Sequence, residues 1–251
     1  MTSLADRKVL ITGSSRGIGR AFATELALCG ADVAVHYHAD AGSAESLRQE
    51  IAAMGRNCLV VRADLSEPDG ADKIAAQLST HGWGIDILVL NASVQIRKPW
   101  PEIQDEDFHG QINANVLSAV KLLQRLVPHM QAQKWGRIIT IGSIHEVHPN
   151  PDMLVYAASK AAVTLMAKSL AVKLAPDGIT VNSLGPGVIL TDRNADALKN
   201  REWHDRVCSR IPLGDIGRPQ DCAGILALLC SDEGRYISGQ NIFIDGAFSA
   251  A

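Results

Sequence analysis

The stretch Lys8-Val-Leu-Ile-Thr-Gly-Ser-Ser-Arg-Gly-Ile-Gly19 decides the fold of this chain of 251 residues. Residues 8–11 predict a short strand, and the turn after them leads into a helical pattern. Gly13, Gly17 and Gly19 allow positive φ angles and a close approach of the backbone to a phosphate. The helix N-terminus behind them offers free N–H groups to a pyrophosphate. The stretch therefore predicts a dinucleotide site, with an ordinary strand-to-helix turn as the alternative, because its spacing departs from Gly-x-Gly-x-x-Gly.

Short apolar runs and longer helical patterns alternate along the rest of the chain. Runs rich in Val, Ile and Leu indicate strands buried on both faces, as in a parallel sheet. The predicted strands are 8–11, 32–37, 58–62, 85–90, 137–141, 179–184 and 241–244, and the predicted helices are 17–28, 43–54, 71–78, 105–131 (one helix or two), 156–174 and 220–230. This order predicts the α/β class: a Rossmann-type, doubly wound domain with a seven-stranded parallel sheet and helices on both faces.

No linker, composition shift or internal repeat divides the sequence, so we expect a single domain over residues 1–251. Within it, residues 1–95 are expected to bind mainly the cofactor, and residues 96–251 to carry the catalytic residues and the C-terminal strand. The polar segment 187–213, mixed in charge, is expected to form a helical lid over the substrate or a long loop.

Composition limits the possible partners. Hydrophobic residues make up 47% and charged residues 20%, which is typical of a soluble globular protein, and the net charge of −3 comes without a Lys/Arg cluster. A nucleic acid or a membrane surface is therefore not expected as a partner. The five cysteines have no metal-ligand or disulfide spacing and are expected to be reduced, small buried hydrophobes. The N-terminus has no apolar leader, so we expect a cytoplasmic location.

The end of the second predicted strand bears on the choice of cofactor. An acidic residue there would bind the ribose 2′-hydroxyl of NAD. The sequence is Val35-His-Tyr-His-Ala39, which brings Tyr37 near that position, and no acid follows until Asp40. Arg16 and His38 could face a 2′-phosphate, although Arg16 could equally face solvent. The pattern favours NADP(H), with NAD(H) possible.

Tyr156 and Lys160 stand four residues apart in Tyr156-Ala-Ala-Ser-Lys160, with Ser143 upstream. On a helix, residues at i and i+4 share one face, so the ammonium lies beside the phenol and favours the phenolate. A tyrosine prepared in this way can exchange a proton with an alcohol or a carbonyl near neutral pH. The same spacing also occurs on solvated helix faces, and the rest of the chain has to decide between the two interpretations.

Several short motifs occur together in a fixed order. They are Thr12-Gly-Ser-Ser-Arg-Gly-Ile-Gly19, Asp64-Leu65, Asn91-Ala-Ser93, Asn115, Ser143, Tyr156-Ala-Ala-Ser-Lys160, Pro186-Gly187, Thr191 and Gly239-Gln-Asn-Ile-Phe-Ile-Asp-Gly246. In order and spacing they resemble the classical short-chain dehydrogenase/reductase family over essentially the whole chain. Two positions depart from the family pattern: Ser93 stands where an Asn-Ala-Gly turn has glycine, and Ala247 where a terminal Asp-Gly-Gly has glycine. The smaller space beside Ser93 puts the backbone geometry there in question.

The resemblance implies roles for particular residues. The catalytic set would be Asn115, Ser143, Tyr156 and Lys160. Tyr156 would be the general acid or base and Ser143 would orient the substrate oxygen; Lys160 would lower the pKa of Tyr156 and contact the nicotinamide ribose, and Asn115 would hold a water. The cofactor would contact Gly13, Ser15, Arg16, Gly17, Ile18, Gly19, Tyr37, His38, Asp64, Leu65, Asn91, Ala92, Ser93, Tyr156, Lys160, Pro186, Gly187, Val188 and Thr191. Asp64 would hydrogen-bond the adenine, Asn91 would stabilise the central strand, and Pro186, Gly187 and Thr191 would lie by the nicotinamide. Helices 105–131 and 156–174 would form a homodimer or homotetramer.

A polar segment between Ser143 and Tyr156 is expected to line the substrate pocket. The candidate substrate contacts are Ser143, His145, Gln95 and Tyr156; Arg97, Lys98 and Trp100 follow the fourth strand, and Trp203 and His204 lie in the predicted lid. A polar rim favours a small sugar, polyol or hydroxy acid over a steroid. No metal is expected, because His145 and His148 lack a third ligand.

The combined prediction is an NAD(P)-dependent enzyme that interconverts a secondary alcohol and a carbonyl by hydride transfer. The main alternative is a 3-oxoacyl-thioester reductase acting on acyl carrier protein, which would call for a basic patch that the sequence does not clearly contain. A non-catalytic dinucleotide-binding regulator is a more remote alternative. An epimerase or dehydratase of extended architecture would need a longer substrate domain.

Overall fold

The computed structural model describes residues 3–192, 194 and 200–251. Within them, a single sheet contains seven strands, all paired in parallel, in the spatial order β3-β2-β1-β4-β5-β6-β7. The strands are β1 Lys8–Ile11, β2 Asp32–Tyr37, β3 Cys58–Arg62, β4 Ile87–Leu90, β5 Gly136–Ile141, β6 Ile179–Pro186 and β7 Asn241–Ile244. The predicted Rossmann-type α/β class is confirmed.

The helices connect successive strands. They are α1 Gly17–Leu28, α2 Ala41–Ala53, α3 Gly70–Thr80, α4 Asp105–Ile112, α5 Ser118–Gln133, α6 Leu154–Leu174, α7 Arg201–Cys208 and α8 Ala223–Cys230. A one-turn π-helix, Asn113–Leu117, joins α4 to α5, and a 3₁₀ turn, Pro219–Cys222, precedes α8. Most of these bounds lie within two residues of the predicted ones.

Two apolar cores flank the sheet, one on each face. Side chains alternate between the faces along a strand, so Val9 and Ile11 belong to one core and Leu10 to the other. The first core packs under α1, α2 and α8, with Phe22 and Leu226 fully buried. The second packs under α3, α5 and α6. Burial on both faces explains the near-continuous apolar sequence of the strands.

The strand order reverses between β1 and β4, because β2 and β3 extend the sheet to one side and β5 to β7 extend it to the other. Open α/β sheets bind ligands at such a switch point, outside the carboxyl ends of the strands. The turn after β1 and the loops after β4, β5 and β6 all lie at this edge. The connections from α2 to β3 and from α3 to β4 lie at the opposite edge, where Gly55 and Gly82 turn the chain with positive φ angles.

Some predicted boundaries were wrong. The fourth strand begins at Ile87 rather than residue 85, and the carboxylate of Asp86, just before it, accepts the N–H of Lys8 at 2.8 Å. The predicted helix over 220–230 begins with a 3₁₀ turn, and α6 starts two residues before Tyr156. In the predicted lid, α7 is helical, whereas residues 193 and 195–199 lie outside the described residues.

All five cysteines are free, but the expectation that all are buried was wrong: Cys222 and Cys230 are buried, while Cys29, Cys58 and Cys208 are half-buried. Among the described residues, no helix combines the length and the apolar character that crossing a bilayer requires.

Candidate active site

The glycine-rich turn after β1 adopts the backbone conformation that its sequence predicted. Gly13 and Gly17 have φ angles of +64° and +58°, in the left-handed region that side chains rarely adopt. Gly19 is required for a different reason: a Cβ there would lie 2.3 Å from the carbonyl oxygen of Gly13. The turn therefore packs directly against the first turn of α1.

Asn91 holds this turn from the neighbouring strand. Its amide Nδ2 donates to the carbonyls of Thr12 and Gly13 at 2.8 and 2.9 Å. The hydroxyl of Thr12 accepts the N–H groups of Asn91 and Ala92 at 2.9 and 3.0 Å. The bonds join the ends of β1 and β4 at the switch point and fix the floor of the predicted dinucleotide site.

His36, which sequence reasoning missed, holds the turn from the other side. Its Nδ1 accepts the N–H of Gly13 at 2.9 Å, so Nε2 carries the proton and donates to the carbonyl of Ala63 at 3.2 Å. The side chain is buried, and burial lowers its pKa to about 4. A histidine beside the apolar residues of β2, one residue before Tyr37 near the position that selects the cofactor, was the available signal.

The end of β2 meets the end of β3 at His38 and Asp64. The Nε2 of His38 lies 3.3 Å from one carboxylate oxygen of Asp64. The other accepts the amide and the hydroxyl of Ser66 at 2.9 and 2.6 Å. Burial raises the pKa of Asp64, but the Ser66 bonds and the nearby histidines outweigh it, and the net pKa is lowered. Arg16 is exposed at the N-terminus of α1, with Tyr37 half-buried nearby on β2.

Ser143, Tyr156 and Lys160 lie at the carboxyl ends of the central strands. Ser143 follows β5, and the other two stand one turn apart on α6; all three are buried. The Nζ of Lys160 donates to the carbonyl of Ile141 at 2.7 Å and lies 5.6 Å from the centre of the Tyr156 ring. The structure thus brings the serine, the phenol and the ammonium to one place.

Asn115 lies on the π-helix, behind these three residues. Its Oδ1 accepts the N–H of Val94 at 2.8 Å, and its Nδ2 donates to the carbonyl of Val94 and to the hydroxyl of Ser159, both at 2.9 Å. Ser159 in turn donates to the carbonyl of Tyr156 at 2.7 Å. A cavity of about 10 Å³ lies between Asn115 and Lys160.

One cleft of about 1050 Å³ runs along this edge of the sheet. Every predicted cofactor residue lines it, as do Ser143, His145, Gln95 and Tyr156; Asn115 alone of the predicted site residues lies outside it. Sequence reasoning missed His36, Arg206, Arg210 and Phe248, which also line the cleft. The last three come from the second half of the chain, whose approach to the cleft no local motif could reveal.

His145 lies between Tyr156 and the outer wall of the cleft. Its ring meets that of Tyr156 edge to face, with the centroids 6.4 Å apart, and its Nδ1 lies 3.0 Å from the carbonyl oxygen of His148. Burial lowers the pKa of His145, and the charges of Arg97 and Arg210 act in the same direction. The ring of His148 packs on Phe248 at 4.8 Å. Among the described residues, no cluster of His, Cys, Asp and Glu is arranged to hold a metal ion.

Three residues that sequence analysis placed near the substrate lie elsewhere. Lys98 pairs with Asp107 at 2.6 Å, Trp100 is 70% exposed, and His204, unlike Trp203, does not line the cleft. The two positions that depart from the family pattern behave differently. Ser93 has no positive φ angle, whereas Ala247 has a φ of +69°.

The comparison with known proteins decides the family. A family model described as enoyl-(acyl carrier protein) reductase matches residues 13–249. The chain belongs to the classical short-chain dehydrogenase/reductase family. It is therefore an NAD(P)-dependent oxidoreductase acting on CH–OH groups.

The relatives differ in the substrates that their names give. The chain is 34% identical over 240 residues to the 3-oxoacyl-[acyl-carrier-protein] reductase of Staphylococcus aureus, covering 96% of this chain and 97% of that one. It is 36% identical over 247 residues to the L-rhamnose 1-dehydrogenase (NAD(P)(+)) of Azotobacter vinelandii, covering 97% and 96%. A gluconate 5-dehydrogenase from Burkholderia cenocepacia, solved with NADP and tartrate, superposes with a TM-score of 0.93 at 30% identity, covering 100% and 98%.

Proposed function

We propose that this short-chain dehydrogenase/reductase interconverts a secondary alcohol and a carbonyl on a small, polar substrate and prefers NADP(H). The observation that carries the proposal is the burial of Ser143, Tyr156 and Lys160 together at the edge of the sheet that also holds the glycine-rich turn. The proposal treats residues 1–251 as one domain that supplies both halves of this cleft.

The residues present fit a dinucleotide. Gly13, Gly17 and Gly19 line the cleft. A Cβ would meet Ala92 at Gly13 and the turn itself at Gly19, so glycine lets this backbone form the wall of the cleft. In our proposal a pyrophosphate binds at this turn, the adenine half lies by Asp64 and Leu65, and the nicotinamide half lies by Pro186, Gly187 and Thr191. The bound nicotinamide supplies hydride chemistry, and the protein positions it and moves the proton.

Tyr156 handles that proton in our proposal. It donates from its hydroxyl to the substrate oxygen in reduction and accepts the proton in oxidation. The Oγ of Ser143 already accepts the N–H of His145 at 3.1 Å, so its own hydrogen is directed to another acceptor, and the substrate oxygen can be that acceptor.

Lys160 and Asn115 support the proton transfer. The ammonium of Lys160 favours the phenolate form of Tyr156 and faces the nicotinamide ribose. The cavity of about 10 Å³ between Lys160 and Asn115 has a mostly apolar lining that includes the polar side chains of Thr12, Asn115, Ser118 and Lys160, and a water requires roughly 10–15 Å³ with two to four polar partners. We infer that a water there connects Lys160 to Asn115.

The preference for NADP(H) rests on charge at the adenine end. Arg16 and His38 line the cleft there, and β2 ends without an acid at the position that would bind a ribose 2′-hydroxyl. Two relatives support the choice, since one was solved with NADP and the other is named for both cofactors.

The substrate end of the cleft favours a polar, anionic molecule. Arg97, Arg206 and Arg210 line it together with His145 and His148. Arg206 lies 3.2 Å from Glu202, whereas Arg210 lies over the Phe248 ring at 5.1 Å. Guanidinium groups bind carboxylates in a planar, bidentate manner. A sugar acid or a hydroxy acid fits this wall better than a neutral polyol.

The alternative function is reduction of a 3-oxoacyl thioester on acyl carrier protein, because the Staphylococcus aureus relative, at 34% identity, is named for that reaction.

The test is a panel of sugar acids, hydroxy acids, neutral sugars, polyols and 3-oxoacyl thioesters, followed by nicotinamide absorbance with NADP(H) and with NAD(H). We expect the highest kcat/KM with NADP(H) and a carboxylate-bearing substrate. A 3-oxoacyl thioester preferred over all sugars and acids would replace the proposed substrate class.

Tyr156→Phe tests the chemistry itself. We expect kcat to fall by roughly 10²- to 10⁴-fold, because the positioned proton donor is lost. Near-native turnover in this variant would remove Tyr156 as the acid or base. The cytoplasmic location and the homodimer or homotetramer stay predictions.

A further inference from the structure

Glu146 lies directly behind Ser143, in the 3₁₀ turn Ile144–Glu146 that follows β5. We propose that Glu146 is a positioning residue for the reaction: it fixes Ser143 against the helix that carries Tyr156 and Lys160. The inference rests on the proposed role of Ser143.

The carboxylate of Glu146 bonds to two separate parts of the fold and lies beside a third. Its Oε1 accepts the N–H of Ser143 at 2.7 Å, and its Oε2 accepts the Nδ2 of Asn241, on β7, at 3.1 Å. The hydroxyl of Thr164, on α6, lies next to the same carboxylate, beside Gly142. Residues distant in sequence therefore meet at one carboxylate, and their positions relative to Ser143 depend on it.

Thr164 makes this set relevant to catalysis. It stands four residues after Lys160 and eight after Tyr156, so all three share one face of α6. The hydroxyl of Thr164 lies 3.0 Å from that of Ser183, and either of the two can be the donor. Glu146 thus holds Ser143 beside the helix face that presents the tyrosine and the lysine.

The surroundings of this half-buried carboxylate are crowded. A Cβ on Gly142 would lie 2.0 Å from Oε1 of Glu146 and 2.9 Å from the Thr164 hydroxyl, so this position requires glycine. Burial raises the pKa of Glu146, although the hydrogen bond from Ser143 and the charge of Lys160 oppose that rise. Ser143 and Glu146 form the capping box of the 3₁₀ turn, and the bond to Asn241 on β7 goes beyond what such a cap requires.

A further consequence concerns the hydroxyl of Ser143. With its main chain held by Glu146 and its Oγ accepting the N–H of His145 at 3.1 Å, the side chain is held at both ends. Misplacement of a reacting group by about 1 Å can lower the rate about 100-fold. Loss of Glu146 should therefore act on turnover through Ser143, and not on cofactor binding.

A double-mutant cycle tests this coupling. The variants are Glu146→Ala and Ser143→Ala, singly and combined, with kcat, KM for both substrates and Tm measured for each. We expect Glu146→Ala to lower kcat roughly 10- to 100-fold in the native background and less than about 3-fold in the Ser143→Ala background, with the cofactor KM unchanged.

Two further variants separate positioning from general loosening. Glu146→Gln should retain kcat within about 3-fold, because its amide oxygen still accepts from Ser143, and once the Asn241 amide turns over, Nε2 can donate to Oδ1 of Asn241, a buried acceptor without a hydrogen-bond partner among the described residues. Asp86→Asn is the matched control: Asp86 likewise carries a carboxylate that accepts a main-chain N–H, but it lies at the opposite edge of the sheet. It should lower Tm and leave kcat unchanged.

The outcomes are distinct. Equal losses of kcat from Glu146→Ala in both backgrounds would overturn the positioning role while leaving the proposed function intact. An Asp86→Asn enzyme that lost as much kcat as Glu146→Ala would also overturn it. If Ser143→Ala kept native turnover, the proposed role of the serine would fail, and this inference with it. Should Glu146→Ala not fold, Asn241→Ala in the same two backgrounds answers the same question.

Discussion

At the scale of single residues, the neutral imidazole of His36 determines how the cofactor turn is held. Its Nδ1 must stay an acceptor for the N–H of Gly13, because protonation would set two donors against each other. The acceptor and the donor of one ring thus tie β1 to β2 and β3. This arrangement makes the turn sensitive to acid.

The first prediction follows from the lowered pKa of His36. In the unfolded chain the ring titrates near 6.5, and in the folded protein at about 4. Between these values the unfolded chain binds the proton and the folded one does not, so the free energy of unfolding falls as the pH is lowered from 6.5 to 4. Above pH 6.5 the neutral His36 contributes its full share to the free energy of unfolding, about 3 kcal/mol.

Denaturant unfolding at pH 7, 5.5 and 4.5 measures this loss. His36→Gln keeps an acceptor and a donor but cannot titrate, so its unfolding free energy should depend less on pH over this range. His81→Gln, at an exposed position, is the control and should retain the native slope. Parallel slopes for the native protein and His36→Gln would show that His36 is not the titrating group.

Ala247 gives the second prediction at this scale. Its φ of +69° and ψ of 15° lie in the left-handed region, and its N–H donates to the carboxylate of Asp245 at 3.0 Å. A Cβ in this conformation costs roughly 1 kcal/mol, and glycine avoids the cost. Ala247→Gly should therefore raise Tm by about 2 °C, while Ala247→Val should lower it. A calorimetric Tm that fell in Ala247→Gly and rose in Ala247→Val would contradict backbone strain at Ala247.

At the scale of elements, the π-helix Asn113–Leu117 carries Asn115, whose role is structural, whereas Lys160 on α6 has a role in proton transfer. Asn115 satisfies both main-chain groups of Val94, whereas Lys160 faces the Tyr156 ring. Removing Asn115 takes away the partner of the N–H and the carbonyl of the half-buried Val94, at a cost of about 1 kcal/mol. Removing Lys160 withdraws the charge that assists the proton transfer.

The third prediction is that loss of Lys160 mainly lowers turnover, whereas loss of Asn115 mainly lowers thermal stability. Lys160→Ala should lower kcat more than Asn115→Ala does, and Asn115→Ala should lower Tm markedly. Nicotinamide absorbance gives kcat, and a thermal melt gives Tm. A greater loss of kcat in Asn115→Ala than in Lys160→Ala would reverse the assigned roles.

These elements also show which parts of the structure could be predicted from the sequence and which could not. The periodic apolar runs of β1, β2, β3 and β7 predicted their bounds correctly, because burial on both faces leaves a clear pattern. The π-helix could not be predicted, since one extra residue in a turn barely changes a helical pattern; residues 105–131 gave only one or two helices. The network at Glu146 was also out of reach, because its partner Asn241 is contributed by β7, far along the chain.

At the scale of the whole molecule, α6 has two faces with different chemistry. One presents Tyr156 and Lys160 to the cleft. Another leaves Leu154, Leu165 and Val172 exposed at 55%, 66% and 79%, at spacings that place them in one stripe. Such a stripe on a long helix is typical of an interface.

The fourth prediction is that this stripe contributes to a homodimer or homotetramer. Light scattering should give a mass at least twice 26.8 kDa for the native protein. Leu165→Lys combined with Val172→Lys should lower it, because two charges would have to be desolvated in the interface. Leu28→Lys changes an equally exposed leucine on α1 and should leave the mass unchanged. A native monomer at working concentration would exclude the assembly.

The seven strands all point the same way, and this has a practical use. The chemistry is confined to one edge of the sheet, while the loops at Gly55 and Gly82 open to solvent at the other. An enzyme immobilised on a bead through a linker inserted after Gly82 would keep its cleft turned toward the solution. Its turnover on the support should match that of the untethered protein.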